Sequence, residues 1–193
     1  MDSSSLAFIL ASLIIILFYL KEQQIEVTYV KSKADNNKYL VRNTSKKQEA
    51  ANIIGRLNLK IEKLLEHLQH NKDNKTLYQN IKNKYNSGIL SEGTEDSGYT
   101  SYSVNKERIV LCVRSRSNDN PLNTFVDENT LLYVTIHEIA HLGTDEVGHT
   151  PLFWKNFKTL LTMARDNNIY KYVDYSKHNE KYCGVKLTSN ILD

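Results

Sequence analysis

The sequence predicts an α+β domain behind an N-terminal apolar helix. Three observations carry that reading: one unbroken apolar run near the start, two pairs of short strand-like segments split by turn residues, and three stretches with apolar residues at helical spacing. At 193 residues the chain can hold one domain with a real core plus one appendage, not two ordinary domains and a linker. A hydrophobic share of 40% with 24% charged residues excludes global disorder.

The apolar run, Leu6 to Leu20 (LAFILASLIIILFYL), has Ser12 as its only strongly polar member and is closed by Lys21. It is short beside the roughly 17–25 residues of a membrane span. No basic residue precedes it and no small-x-small site follows, which opposes a cleaved signal peptide. It has no polar face, which opposes a buried core helix. The run is therefore read as a retained single-pass anchor, residues 1–21, with one domain over residues 22–193 and membrane contact through residues 6–20. Lys21, Lys31, Lys33 and Lys38 follow the run and none precedes it, so the body is expected on the cytosolic side of a host-cell or virion membrane. The sequons at Asn43 (NTS) and Asn74 (NKT) should then stay unmodified. Cys112 sits in the apolar run IVLCV, Cys183 stands apart, and no CxxC occurs, so free thiols in a reducing compartment are expected.

Past the anchor, IEVTYV (Ile25 to Val30) and KYLVR (Lys38 to Arg42), split by ADNN, predict a hairpin. From Lys47 a helix is expected, its stripe made by Ile53, Ile54, Leu57, Ile61, Leu64, Leu65 and Leu68. His67 and His70 lie off that stripe beside Glu66 and read as a solvated face. The segment NSGILSEGTEDSG reads as a loop. YTSYSV, the turn residues Asn105 and Lys106, and ERIVLCVR predict a second hairpin, whose strand RIVLCVR is a candidate to align a peptide by strand addition. After the loop SRSNDNPLNTF, DENTLLYVTIHEIAHLG predicts a helix capped by Asp127 or Asn129 and ended by Gly143. Thr150 and Pro151 are the cap and first-turn residues of the next helix.

Charge is uneven: residues 21–88 hold 14 Lys or Arg against 7 Asp or Glu, and residues 89–193 hold 11 against 14. The basic residues are scattered among Asn, Gln and Glu rather than blocked, which reads as a solvated surface and argues against a nucleic-acid partner.

The chemistry concentrates in HEIAHLGTDEVGH, residues 137–149. On a helix, His137 and His141 are one turn apart on one face, so two imidazoles can bind one tetrahedral metal. Glu138 is turned about 100° around the axis, where it can reach a water at the metal without ligating. That arrangement suits hydrolysis assisted by Zn2+, with Glu138 as general base. The extended pattern HExxHxxGxxH is excluded by Thr144 and Val147, and a glutamate from the following helix is excluded because PLFWKNFKTLLTMARDNN has none. His149 is the preferred third ligand, with Asp145 and Glu146 as rivals, and Gly143 and Gly148 let the chain turn back.

HEIAHLGTDEVGHTPLFWKNFKTLL resembles the core of the WLM and SprT-like zincin metallopeptidases, in which HExxH is followed by a histidine that opens the next helix with F and W packing residues. The stretch from Tyr99 through Cys183 is similar to the WLM-type peptidases carried by large DNA viruses, and the similarity extends back to EVTYVKS and KYLVRN. The resemblance implies a minimal zincin-like domain, Zn2+ held by His137, His141 and His149, Glu138 as general base, and a protein or peptide substrate. The WLM pattern typically has a shorter spacing to its third histidine than LGTDEVG provides. Members acting on DNA–protein crosslinks use further binding segments, and no basic tail follows Leu187, so the resemblance implies peptide-bond hydrolysis but not that substrate.

Tyr170, Tyr172, Tyr175, Tyr182 and His178 are candidates to hydrogen-bond a developing oxyanion, although packing of the C-terminal segment accounts for the aromatics more simply. Two functions follow: a membrane-anchored zinc peptidase, or a non-enzymatic viral membrane or interaction protein with a structural zinc site. Glu138 separates them in part, because a structural site has no use for an acid beside its first ligand.

Overall fold

The first hairpin forms where alternation and turn residues place it. In the computed structural model, which describes residues 8–17, 26–94, 101–104, 106–115, 124–178 and 180–192, β1 (Val27–Lys31) pairs antiparallel with β2 (Lys38–Arg42), Val27 opposite Arg42. Asn36 takes φ 64 in the turn, a conformation Asn tolerates better than most residues. The Asp35 carboxylate accepts from the Asn37 backbone N–H at 3.2 Å and from Asn58 Nδ2 of the following helix at 3.0 Å, so the turn is locked onto that helix.

That helix, α2 (Lys47–Gln69), buries Ile54, Leu57, Ile61, Leu64 and Leu68 completely along the expected stripe. Each such side chain contributes about 1.5–3 kcal/mol over its exposed state. His67 is half-buried and His70 exposed. A single turn of 3-10 helix (Lys72–Asn74) leads into α3 (Lys75–Lys82), which buries Leu77 and Ile81.

β3 (Leu90–Glu92) forms inside the segment NSGILSEGTEDSG, where a loop is expected from sequence. All three of its residues are buried, and it pairs parallel with β2 on one side and with β5 (Arg108–Leu111) on the other. β4 (Tyr102–Val104) pairs antiparallel with β5, which gives the sheet order β1-β2-β3-β5-β4. A three-residue strand has too little periodicity to read in sequence. What holds it is tertiary: the Glu92 carboxylate accepts from the Arg42 backbone N–H at 2.8 Å and pairs with Arg114 at 3.0 Å, both acid and base nearly solvent-free. Asn105 of the expected turn lies outside the described residues, while Lys106 takes φ 60.

α4 (Glu128–Gly143) is apolar on nearly every side and is correspondingly buried, packed against α2, α3, α5 (Pro151–Asp166) and the β4–β5 edge of the sheet. Asp127 is its cap, accepting from the Asn129 and Thr130 backbone N–H groups. Thr150 caps α5 by accepting from the Phe153 N–H, with Pro151 in the first turn. A short hairpin, β6 (Lys181–Tyr182) and β7 (Val185–Lys186), follows.

Two expectations are corrected. Cys112 and Cys183 are not free thiols: a disulfide joins them, tying the end of β5 to the β6–β7 turn. Sequence spacing gave no hint of it because 71 positions separate the two, and only the return of the chain beside β5 brings them within bonding distance. The N-terminal anchor also fails. Among the described residues no helix is long and apolar enough to cross a membrane. Residues 8–17 form a helix, α1, while residues 6, 7 and 18–20 of the expected span lie outside the described residues. Among the described residues the fold is therefore α+β with no membrane-crossing helix, and the single-pass anchor, with the membrane location and the cytosolic side assigned to the body, is not supported.

Candidate metal centre

His137 and His141 project from the last two turns of α4, and His149 returns beside them from the loop before α5. The ligating nitrogens of the three rings all lie within 4.8 Å of one another, and each pair of ring centroids is 5.0 Å apart. Nε2 of His149 is 3.0 Å from Nε2 of His137. Among the described residues no other group of His, Cys, Asp or Glu is assembled for a metal. His67 and His70 stay on the outer face of α2.

The loop that delivers His149 is held at several points. Lys84 Nζ donates to the Leu142 carbonyl at 3.0 Å, and Asn80 Nδ2 to the Gly143 carbonyl at 3.2 Å. Lys106, from the β4–β5 turn, donates to the Thr144 carbonyl and, at 3.2 Å, to that of Asp145. Lys84 and Asn80 satisfy two carbonyls that the end of α4 leaves without intrahelical partners, and Lys106 holds the loop just beyond it. Thr144 Oγ1 in turn accepts from the buried Asn156 Nδ2 of α5 at 2.9 Å. Gly148, at φ 85, makes the final bend, a backbone conformation that L side chains rarely adopt. Gly143 does not serve as a turn. It remains helical, and a Cβ there would stand 2.4 Å from Leu77 Cδ1, so its role is the close approach of α4 to α3.

Asp145, a rival ligand in sequence, points elsewhere: its carboxylate accepts from Asn80 at 3.2 Å and lies 3.6 Å from Lys84 Nζ. Glu146 is exposed and outside the assembled group.

Phe153 floors the three imidazoles. Its ring centre lies 4.9 Å from that of His137 and 4.8 Å from that of His149, and it stacks on His141 at 4.1 Å. Trp154 stacks on His149 at 5.4 Å, and Phe157 meets His137 edge-on at 5.1 Å. Burial holds His137 well below the usual imidazole range, at about 3, and His141 at about 4, with the neighbouring imidazole charge adding to both shifts. Both rings therefore present neutral nitrogens with free lone pairs at neutral pH. Glu138 is 5% exposed, and burial pushes its carboxyl up to about 7.

The tyrosines considered for an oxyanion role are occupied otherwise. Tyr170 and Tyr175 are buried with Tyr133 in an aromatic cluster, and Tyr182 is buried with its hydroxyl oxygen accepting from the Cys112 N–H at 2.9 Å. Tyr172 donates to Asn190 at 3.1 Å, and His178 is exposed. Strand RIVLCVR cannot take an added strand within β5, because β3 and β4 occupy both of its edges; β4 is the outer strand on that side. The pins from Lys84, Asn80 and Lys106 were not legible in sequence, since each comes from a distant element. Phe153 was legible only as a packing residue four positions beyond His149.

These features define a small α+β protein with a three-histidine candidate metal centre and an adjacent buried carboxyl. The chain belongs to the family of "Uncharacterized protein R325" of Acanthamoeba polyphaga mimivirus, to which it is 37% identical over 193 residues, covering 97% of this chain and 96% of that protein. It is also 38% identical over 85 residues to "Uncharacterized protein 136R" of Invertebrate iridescent virus 6, 44% of this chain and 47% of that protein. "Uncharacterized protein 042R" of Invertebrate iridescent virus 3 is 37% identical over 87 residues, 44% of this chain and 50% of that protein. No family model matches the chain, and no solved structure matches it.

Proposed function

We propose that the chain is a zinc-dependent peptidase with His137, His141 and His149 as the metal ligands and Glu138 as the general base. The observation that carries this reading is the convergence of three imidazole nitrogens, with the buried Glu138 next to His137 on the same helix. The residues fit the ion. Nitrogens bound to tetrahedral zinc at about 2.0–2.1 Å lie about 3.3 Å apart, close to the 3.0 Å between His137 and His149. Neutral nitrogens are the form that ligates, and burial keeps His137 and His141 neutral. The resemblance of residues 137–161 to WLM and SprT-like zincins points the same way.

His137, His141 and His149 would hold a zinc ion, which when bound would supply Lewis acidity toward a peptide carbonyl and toward water. Glu138 takes a proton from the attacking water as its oxygen adds to the carbonyl carbon. It then delivers that proton to the departing amine nitrogen as the C–N bond breaks, leaving a carboxylic acid and an amine, and the acid passes its remaining proton to the amine to give carboxylate and ammonium. A carboxyl near neutrality can both accept and return a proton. Phe153 and Phe157, both fully buried, close the floor against water and fix the rings of His137 and His141.

The test uses the full chain, with metal analysis and hydrolysis of a quenched-fluorescence peptide library. The expected result is about one zinc per chain, lost in His149→Ala and retained in Asp145→Ala. Glu138→Gln should keep its zinc while hydrolysis falls by about 10² or more. Retained turnover in Glu138→Gln refutes the mechanism. A full zinc complement without hydrolysis in the unmodified chain favours a structural metal site.

A further inference from the structure

We propose that the exposed indole of Trp154 is the wall of a subsite that takes an apolar side chain of the substrate, next to the bond cleaved at the histidine centre. The inference rests on the peptidase reading and adds the class of substrate to it.

Trp154 sits on the first turn of α5, and its place beside the centre is fixed by ring contacts. The indole lies nearly parallel to the His149 ring, 27° apart, and its ring centre is 6.5 Å from that of His137 and 5.2 Å from that of Phe153. Phe153 and Phe157 border the same histidines and are 0% exposed, whereas Trp154 is 40% exposed. The two phenylalanines thus belong to the core, and the indole forms part of the outer rim of the centre. Consecutive Cα atoms in a peptide are about 3.8 Å apart. A carbonyl placed at the histidines therefore puts the side chains beside it within reach of the indole.

The loop that leads to His149 carries one exposed apolar side chain of its own, beside the exposed Asp145 and Glu146. Val147, two residues before His149, is 91% exposed, the most exposed large apolar side chain among the described residues. Leu152, 41% exposed, is not part of this rim. It lines a shallow cleft with Leu77, Asn80 and Lys155 on the α3 side. An uncharged indole face next to a metal centre rewards an aliphatic or aromatic side chain, which loses apolar surface to water there. A carboxylate would be desolvated against it without a partner.

The test is binding to the full zinc-loaded chain, read by calorimetry, of three small zinc-directed probes: the hydroxamates of acetyl-leucine, acetyl-aspartate and acetyl-lysine. Trp154 is the only tryptophan in the chain, so its emission reports occupancy of the subsite. The leucine probe should bind about tenfold tighter than either charged probe, and it alone should shift the emission. In Trp154→Ala the three affinities should converge to within about threefold at unchanged zinc content, whereas Trp154→Phe should keep most of the preference. Equal binding in the unmodified chain, a preference for lysine, or a leucine preference that survives Trp154→Ala overturns the proposal. A chain that takes up no zinc overturns both this inference and the peptidase reading. A zinc-loaded chain that shows the Trp154-dependent preference but hydrolyses no peptide refutes the peptidase reading alone.

Discussion

Gly143→Ala tests whether the approach of α3 to α4 positions the histidine centre. The added Cβ would lie 2.4 Å from Leu77 Cδ1, 3.0 Å from Ile81 Cγ1 and 3.2 Å from Ile81 Cδ1. Carbon atoms pack best at about 3.5–4.0 Å, so the end of Leu77 or α3 itself must move by about 1 Å. Little room exists, since Leu77 is 5% and Ile81 0% exposed. Overpacking of this kind costs about 1–3 kcal/mol, and the better helix propensity of Ala returns at most about 1 kcal/mol. A net loss of about 1–2 kcal/mol is expected in urea denaturation followed by far-ultraviolet circular dichroism. A shift of α3 also displaces Asn80, which donates to the Gly143 carbonyl and to Asp145, so zinc affinity should fall as well. Leu77→Ala empties the space that the new methyl needs. The double variant should therefore be more stable than the sum of the single changes by about 1 kcal/mol or more. A neutral or stabilising Gly143→Ala, or strict additivity with Leu77→Ala, would refute the packing argument.

Replacing both Cys112 and Cys183 by Ser removes a cross-link across 71 positions, and the loss of loop constraint in the unfolded chain should lower stability by about 4 kcal/mol; an unchanged denaturation midpoint under non-reducing conditions would contradict this. Arg114→Met leaves the Glu92 carboxylate buried without its guanidinium and should cost about 3–5 kcal/mol, much of it recovered when Glu92→Gln is added. Burial already raises the Glu92 carboxyl above the ordinary carboxylate range despite Arg114, so the opposite ranking of the single and double variants would show that the pair is not desolvated. In the metal-free protein, His137 and His141 resist protonation until about pH 3 and 4, while the unfolded chain takes up those protons near pH 6.5. Their contribution to stability is therefore intact above pH 6.5 and is lost progressively as pH falls through about 4 toward about 3, and thermal melts should show a shallower decline in His137→Gln/His141→Gln. Parallel declines would contradict the burial of the two rings.

Local pattern determines much of this protein. Apolar spacing over residues 47–68 sets α2, because an amphipathic stripe has one way to bury itself. Asp127, Thr150 and Pro151 mark the helix starts, because caps act through backbone groups two or three residues away. The same locality made His137 and His141 readable as one face of one helix, with Glu138 about 100° further round its axis. His149 could be preferred among three nearby candidates, and the structure brings it to the pair while Lys84 and Asn80 hold Asp145 away. Long-range contact decided the rest. β3 exists because β2 and β5 both hydrogen-bond to it, Gly143 is small because Leu77 crosses it, and Cys112 meets Cys183 because the C-terminal hairpin packs beside β5. Lys106 reaches the ligand loop from another hairpin by the same route. None of these contacts leaves a periodicity or a spacing in the chain, since each is set by how distant elements pack. The apolar run near the start shows the converse: its composition suggested a membrane span, but hydropathy alone does not fix helix length, and among the described residues no helix is long and apolar enough to cross one.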